Sequence, residues 1–335
     1  MTMKPLYETP LGKAYVADSL EFMRSIPDGS VNLVMTSPPY ALHFKKEYGN
    51  KDQGEYVDWF LPFADEFKRI IPDDGSIVID IGGAWTPGQP TRSLYHFELL
   101  IALCRKTGLH LAQEFFWYNP AKLPSPAEWV NVRKIRVKDS VECVWWLSKT
   151  PNPKASNTKV LQEYSDDMKR LLVRGYKPKT RPSGHIITKK FKDNGGSIPG
   201  NIIICGNNDA NGHYLERCKQ MGKKPHPARF PIQLPSFFIR FLTDPGDMVL
   251  DPFAGSNTTG ASCEEEGRRW IAIEHNEDYL DASQFRFEPH AAETAVVPLV
   301  ADAAIEAIEP PAPEARKRGR PKKVVGNGNG QSELF

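Results

Sequence analysis

A short loop, Thr36-Ser37-Pro38-Pro39-Tyr40, carries the groups best suited to chemistry. Ser37 offers a hydroxyl oxygen and Pro38 a backbone carbonyl, and the two prolines restrict the backbone that carries both acceptors. Two fixed acceptors can hold the hydrogens of a planar amino group and favour the pyramidal nitrogen that develops as this nitrogen attacks an electrophile. The Tyr40 ring gives a nucleic-acid base a flat face to stack on. The loop predicts catalysis on an exocyclic amino group; the alternative is a proline-rich turn that ends a strand.

A second loop lies more than two hundred residues later and follows the apolar run Met248–Leu250. In an open α/β sheet, ligands bind to loops at the carboxyl ends of the strands. Gly255 would allow a ligand to approach the backbone closely, and Glu274, 19 residues further on, stands where an acidic residue accepts hydrogen bonds from ribose hydroxyls. The predicted ligand-binding residues of the loop are Asp251, Phe253, Gly255, Ser256, Asn257 and Thr258, of which the last three can also cap a helix.

The glycine content of this second loop narrows the choice of ligand. A dinucleotide site needs several glycines, because a pyrophosphate must lie against the helix N-terminus. This loop has one glycine, and S-adenosylmethionine has no phosphate. We therefore predict S-adenosylmethionine as the cofactor, the alternative being a purely structural turn.

Apolar runs and helical periodicity predict the elements that position both loops. Strands alternate with helices, which predicts a Rossmann-like α/β fold with a mostly parallel sheet. The predicted strands are Val31–Met35, Ser76–Gly83, Leu111–Tyr118, Met248–Asp251 and Trp270–Glu274, and the predicted helices are Glu55–Ile71, Phe97–Lys106, Phe237–Leu242 and Thr258–Glu266.

Residues 119–208 form a predicted irregular, basic insertion, so that residues 1–118 and 209–288 are the two parts of one catalytic domain. Between Asn119 and Asp193 there are 17 Lys and Arg against 7 Asp and Glu, although the whole chain has a net charge of only +2. Such an excess suits either a phosphate-contacting surface or a solvated basic face. The candidate phosphate contacts are Arg133, Lys134, Arg136 and Lys138, in a segment whose alternation suggests a half-buried strand.

The composition changes again in the tail, residues 289–335, which is rich in Ala, Glu and Pro before a basic stretch around Arg318 and Arg320. This composition predicts disorder. The basic stretch resembles an AT-hook, an element that lies in the DNA minor groove, or it is a solvated tail with non-specific affinity.

The composition also excludes other classes. No run approaches the length of a membrane helix, and no signal segment follows the N-terminus, so we expect a cytoplasmic protein without a membrane partner. The five cysteines are scattered without Cys-x-x-Cys spacing, which argues against both disulfides and a bound metal.

The two loops together resemble those of the permuted β-class DNA amino-methyltransferases, in which the catalytic motif precedes the target-recognition region and the cofactor motif comes last. The likeness covers roughly residues 7–287 and is greatest to PvuII-type cytosine-N4 modification methylases. It includes Leu123-Pro124-Ser125-Pro126 and Asn194-Gly195-Gly196-Ser197-Ile198-Pro199. The resemblance implies that Asp18 contacts the adenine of the cofactor and that Pro227 and Phe230 pack beside its methionine part.

The resemblance also implies the reaction and its partners. In this family a serine at position 37 usually accompanies methylation at N4 of a cytosine flipped out of duplex DNA, and an aspartate usually accompanies adenine N6. It makes CAGCTG the first recognition site to test. Adenine N6 stays open, as does a catalytically silent DNA-binding protein. A restriction endonuclease for the same site is an expected partner unless the enzyme is solitary, and both a monomer and a homodimer stay open.

Overall fold

The structure is a computed structural model, and it describes residues 3–41, 52–175, 193–207 and 212–288 of the protein. Its strands are β1 (Tyr7–Glu8), β2 (Gly12–Val16), β3 (Leu33–Thr36), β4 (Ser76–Ile81), β5 (His110–Tyr118), β6 (Val141–Ser148), β7 (Ile202–Ile204), β8 (Met248–Asp251) and β9 (Arg269–Glu274). Its helices are α1 (Ser19–Met23), α2 (Tyr56–Ile70), α3 (Tyr95–Arg105), α4 (Asp166–Arg174), α5 (Gly212–Gln220), α6 (Gln233–Leu242), α7 (Thr258–Glu266) and α8 (Glu277–Ser283).

These strands form one sheet in the order β1-β2-β9-β8-β3-β4-β6-β5-β7. The strands β2, β9, β8, β3 and β4 run parallel, so their carboxyl ends lie along one edge of the sheet. Because β6 is antiparallel to both β4 and β5, the carboxyl end of β5 lies along the same edge. We call it the carboxyl edge. The predicted mostly parallel α/β sheet is confirmed.

Helices cover both faces of the sheet, because the central strands are apolar on both sides. Leu33 and Met35 of β3 pack in one buried cluster with Phe238 of α6, whereas Val34 packs in another cluster with Phe60 of α2. Strands that are covered on both faces have continuous apolar sequences, which is why these runs were recognisable.

The predicted irregularity of residues 119–208 is wrong, because this stretch contains β6, α4 and β7. Of these, β6 lies between β4 and β5 in the sheet. Val144, Trp145 and Leu147 of β6 are fully buried. Valine and tryptophan favour the pleated, half-buried surface of a strand, and the charge of the flanking segments obscured this short run in the sequence.

The predicted half-buried strand around Arg133–Lys138 is also wrong. Residues Glu128–Val132 form one π-helical turn, and the amides of Ile135 and Arg136 both donate to the carbonyl of Trp129, at 2.9 and 3.3 Å. The chain therefore curls back on itself here, and no strand among the described residues pairs with it.

No helix within the described residues is long and apolar enough to cross a membrane. Arg318 and Arg320, the predicted minor-groove contacts, lie outside the described residues.

A tight contact between β2 and β9 gives a test of the fold. Gly12 pairs with Trp270, and a Cβ atom at Gly12 would lie 2.1 Å from the indole ring. We expect Gly12→Ala to lower the free energy of unfolding by roughly 1–3 kcal/mol, because the ring must move out of a packed site. Urea denaturation measures this. Gly200→Ala is the control, since nothing lies within 4 Å of a Cβ there; equal stability of the two variants would contradict the described contact.

Candidate active site at the carboxyl edge

The two predicted loops, distant in sequence, are neighbours in the structure. The loop that contains Ser37 follows β3, and the loop that contains Gly255 follows β8. These strands are adjacent and parallel, so both loops leave the sheet at the carboxyl edge. The last residue of β3 is hydrogen-bonded to the last residue of β8: Thr36 Oγ1 donates to Asp251 Oδ1 at 2.8 Å.

The Asp251 carboxylate connects three segments at the carboxyl edge through hydrogen bonds. Its Oδ1 also accepts the amide of Phe253 at 3.1 Å, and its Oδ2 accepts the hydroxyl of Thr259 at 2.7 Å. Burial raises the pKa of Asp251 to about 6, against three hydrogen bonds that favour the charged form. One side chain thus holds the end of β3, the loop after β8 and the first turn of α7 together.

In the loop after β8, Gly255 has the left-handed backbone conformation that glycine adopts readily. Gly255 has a φ of +51°, and a Cβ atom there would lie 3.0 Å from the His226 ring. Its amide donates to Glu274 Oε2 at 2.9 Å, and the amide of Asn276 donates to Glu274 Oε1 at 2.9 Å. Burial raises the pKa of Glu274. Each carboxylate oxygen can accept a second hydrogen bond, so Glu274 can still bind a ligand hydroxyl.

The other polar residues of this loop stabilise the loop itself. Asn257, with a φ of +52°, caps α7 by accepting the amide of Gly260 at 3.0 Å, and its Nδ2 donates to the Tyr7 hydroxyl at 2.8 Å. The buried hydroxyls of Ser256 and Thr258 lie 3.3 Å apart. Of the three candidate caps, the structure uses Asn257.

Asp18 and Phe253 flank Glu274 from two sides. Asp18 follows β2, whose Val16 pairs with Glu274. The Asp18 carboxylate is exposed and caps α1 by accepting the amide of Glu21 at 2.9 Å. The Phe253 ring packs against Phe63 of α2, with 5.1 Å between ring centroids. These positions place an acidic group and an apolar ring along the same part of the carboxyl edge.

The segment that contains Pro227 and Phe230 contacts the loop after β8 through His226, which lies beside Gly255. Pro227 is exposed, and half-buried Phe230 packs against the core cluster of α6. His226, which lies against Gly255, packs edge-on against Tyr279 with 4.7 Å between the ring centroids. The structure therefore brings His226, rather than Pro227, against the glycine of the loop.

Tyr40 is held by Ser37 and by two acidic residues that the sequence did not predict for the site, Asp80 and Glu142. Its hydroxyl oxygen lies 2.6 Å from Glu142 Oε2, 3.2 Å from Asp80 Oδ2 and 3.3 Å from Ser37 Oγ. A Cβ atom on Gly82 would lie 2.5 Å from the Tyr40 ring, so the glycine leaves room for that ring. The ring is thus fixed both at its face and at its hydroxyl.

The loop backbone is held as well. The carbonyl of Pro39 accepts a hydrogen bond from the hydroxyl of Tyr56 at 2.8 Å, and Tyr56 is fully buried in α2. Pro38 is buried, whereas Ser37 is half-buried. Ser37, Pro39 and Tyr40 each keep part of their surface exposed, so the loop remains within reach of a ligand.

Burial influences the protonation of the cluster formed by Tyr40, Asp80 and Glu142. It raises the pKa of Asp80 well above its ordinary range, with the negative charge of Glu142 acting in the same direction, and it also raises the pKa of Tyr40. The Tyr40 hydroxyl has one hydrogen to donate, and the acceptor nearest to it is Glu142 Oε2. A neutral Asp80 carboxyl can in turn donate its proton to the Tyr40 oxygen.

A weak signal for these residues exists in the sequence. Asp80 is the one charged residue in the apolar run Ser76–Ile81, and Glu142 lies next to the start of an apolar strand. A buried charge must have a partner, so both positions indicate a polar site. Which partner each residue has could not be read from the sequence, since Tyr40, Asp80 and Glu142 lie on three separate elements.

The four predicted phosphate contacts divide into two pairs. The side chains of Arg133 and Lys134 are exposed and make no hydrogen bond or ion pair with another described residue. Arg136 Nε donates to the carbonyl of Pro90 at 3.0 Å, and Lys138 Nζ donates to two backbone carbonyls near residue 121. The first pair is available to a ligand, and the second pair holds the fold.

Comparisons with known proteins agree with this site. A protein family described as DNA methylase matches residues 31–285. The type II methyltransferase M.PvuII of Proteus hauseri is 57% identical over 288 residues, which cover 85% of this chain and 86% of that protein. The type II methyltransferase M.Cfr9I of Citrobacter freundii is 25% identical over 312 residues, with 82% and 87% covered.

Solved structures give the same result. The PvuII DNA methyltransferase, described as cytosine-N4-specific, superposes with a TM-score of 0.72 at 49% identity and covers 87% of this chain and 91% of that chain. A DNA modification methylase of Thermus thermophilus, solved in complex with S-adenosyl-L-methionine, has a TM-score of 0.52 at 21% identity, with 82% and 92% covered, and shows the shared fold alone.

The raised pKa of Asp251 gives a prediction for stability. The folded state binds this proton more tightly than the unfolded chain, so the stabilisation is present below about pH 4 and is lost as the pH rises through about 6. We expect the free energy of unfolding of the wild type, minus that of Asp251→Asn, to fall by roughly 2 kcal/mol between about pH 4.5 and about pH 7.5. Urea denaturation at several pH values measures it. A difference that does not change with pH would contradict the buried position of the carboxyl group.

Proposed function

The chain belongs to the DNA methylase family, and on this basis we propose that it transfers the methyl group of S-adenosylmethionine to the exocyclic N4 nitrogen of a cytosine in double-stranded DNA. The observation that carries the proposal is the hydrogen bond between Thr36 and Asp251. It places the loop with the amino-group acceptors beside the loop with the features of a cofactor site.

The residues present fit S-adenosylmethionine. The loop after β8 has one glycine with a positive φ, in contact with His226, and buried Glu274 keeps acceptor capacity for hydroxyl groups. Asp18 and Phe253 add an acidic group and an apolar ring along the same edge. In this proposal the cofactor is held by Asp18, Phe253, Gly255, Glu274 and the segment from His226 to Phe230, while Asp251, Ser256, Asn257 and Thr258 shape the loop.

The bound cofactor supplies a methyl group that is activated by a neighbouring sulfonium. The residues of the chain prepare the nitrogen that receives it. Ser37 Oγ and the carbonyl of Pro38 accept the two amino hydrogens, which withdraws the nitrogen lone pair from the ring and directs it outwards. The nitrogen would gain the methyl group as the bond between that group and the sulfonium breaks, which leaves a neutral thioether. The proton that the nitrogen then loses would pass to Ser37 Oγ, whose own proton would pass to the Tyr40 hydroxyl at 3.3 Å and from there to the Glu142 carboxylate at 2.6 Å.

Tyr40 supplies the surface on which the base rests. A target cytosine must leave the duplex to reach the loop, and stacking on an aromatic ring offsets part of the lost stacking in the helix. The hydrogen bond to Glu142 and the contact with Asp80 fix the hydroxyl end of the ring, and the close approach of Gly82 restricts the position of the ring itself. The cost of positioning is thus borne on folding, before the substrate binds.

Other features of the proposal rest on similarity. The 49% identity to a cytosine-N4-specific enzyme favours N4 over adenine N6, and the type II names of the relatives favour a role in restriction-modification. A cognate endonuclease and a cytoplasmic location follow from that role. Either a monomer or a homodimer is compatible with a site that one chain supplies.

The product identifies the reaction. After incubation with labelled S-adenosylmethionine and duplex DNA that contains CAGCTG among other sites, we expect N4-methylcytosine as the labelled nucleoside. Hydrolysis and mass spectrometry measure it, and methylome sequencing of an expressing host locates the methylated site. Recovery of N6-methyladenine alone would refute the assignment of the base, and transfer to no DNA at all would refute the function.

A variant of the serine tests the catalytic loop. We expect Ser37→Ala to reduce the rate of methyl transfer by about 10²-fold or more, because one fixed acceptor of the amino group is lost. Binding of duplex DNA and of S-adenosylmethionine should stay within about twofold, as measured by fluorescence anisotropy and calorimetry, since the hydroxyl is only half-buried. Unchanged turnover would contradict the assignment.

The free basic side chains test the DNA-facing surface. We expect Arg133→Gln to weaken binding to all DNA sequences and to reduce the slope of log K against log salt by about 1, since one phosphate contact is lost. The control is Arg105→Gln, an exposed arginine in the last turn of α3, which leads to the opposite edge of the sheet. An equal salt slope in both variants would place the DNA elsewhere.

A further inference from the structure

The segment that follows β5, residues Asn119–Pro126, is a stiff loop, which we call the proline loop. Three of its eight residues are prolines, whose φ angles are fixed. The amide of Asn119 donates to the carbonyl of Ser140 at 2.9 Å, and Lys138 Nζ donates to the carbonyls of Pro120 and Lys122 at 3.2 and 3.1 Å. The loop is therefore anchored at its base and braced along its length.

The proline loop is connected directly to the candidate active site. Lys122 Nζ forms an ion pair with Glu142 Oε1 at 2.9 Å, and Glu142 Oε2 accepts the hydroxyl of Tyr40 at 2.6 Å. Both Lys122 and Glu142 are largely buried, with 30% and 14% of their side-chain surface exposed. Two contacts thus separate the loop from the ring on which the target base is proposed to stack.

Leu123, the residue after Lys122, is an apolar side chain in the opposite situation. It is 80% exposed, although its neighbour is directed into the site. A flexible loop could turn such a side chain inwards, but the prolines and the Lys138 brace hold this backbone in place. Leu123 consequently projects from a rigid support that Lys122 and Glu142 connect to Tyr40, and the described residues leave it exposed.

The charge around the proline loop indicates what covers this leucine. The available cations of Arg133 and Lys134 lie on the segment that Lys138 ties to the proline loop, and residues 119–193 carry ten more positive than negative charges. A partner with a polyanionic backbone and an apolar interior fits this combination, and duplex DNA has both. Val132 and Val137 on the same segment are also exposed, at 68% and 87%, but of the three only Leu123 follows a residue that is paired with Glu142.

We propose that Leu123 enters the DNA duplex at the place vacated by the target base and fills the gap in the base stack. Apolar side chains serve as such wedges in proteins that unstack DNA, because the gap would otherwise expose apolar base faces to water. This inference rests on the proposed function, since only a base that leaves the duplex creates the gap. Leu123 is a positioning residue in this scheme: it stabilises the extruded state without touching the reacting atoms.

The test compares two DNA substrates. One is a normal, unmethylated duplex that contains the site this enzyme methylates. The other has an abasic position opposite the target cytosine, so that the target is already unpaired. We expect Leu123→Ala to lower kcat/KM on the normal duplex by about 10- to 100-fold and to stay within about twofold of the wild type on the unpaired one. A fluorescent cytosine analogue at the target should brighten on binding to the wild type and much less with the variant.

Two control variants make the outcome decisive. Leu123→Met keeps the apolar bulk and should retain the wild-type rate on both substrates. Ile101→Ala removes a similar volume from an exposed position on α3, 51% exposed, and should change neither rate. Equal losses on both substrates, or no loss on either, would overturn the wedge; a wild type that methylates neither substrate would instead overturn the proposed function.

Discussion

The active edge of this protein depends on one buried carboxylate. Asp251 ends β8 and accepts hydrogen bonds from the end of β3, from the loop after β8 and from the first turn of α7. Burying a charge is unfavourable unless hydrogen bonds replace its hydration. The three donors supply that replacement only when the three segments adopt this arrangement, so the same interaction that stabilises Asp251 also places the loop that contains Ser37 beside the loop that contains Gly255.

A second polar group fixes the other side of the site by similar means. Tyr40 reaches Asp80 on β4 and Glu142 on β6, and Glu142 is paired with Lys122 of the proline loop. Two carboxyl groups around one hydroxyl would repel each other if both were charged. The raised pKa of Asp80 and the nearby lysine remove this conflict. The Tyr40 ring is therefore held from β4 and β6. Lys122 connects it to the proline loop, and Lys138 connects that loop to the segment that carries the available cations.

The sequence and the structure agree most closely where an element is continuous along the chain. The helix predicted at Glu55–Ile71 is Tyr56–Ile70, and the strand predicted at Ser76–Gly83 is Ser76–Ile81, because apolar periodicity records which face is buried. The strand β6 was missed, and a strand was wrongly predicted beside Arg133, because in a charged segment a few apolar residues do not reveal whether a neighbouring strand exists.

The sequence by itself determined the two loops, their chemistry and their inverted order, because these depend on residue types a few positions apart. It also indicated the acceptors, Ser37 and the carbonyl of Pro38, and the ribose-binding candidate Glu274. Only the tertiary structure decided that Thr36 meets Asp251, that Tyr40 is shared by Asp80 and Glu142, and that Arg133 is available while Lys138 is not. Those facts depend on which strands become neighbours, and strand order is set by packing the whole sheet between its two helical layers.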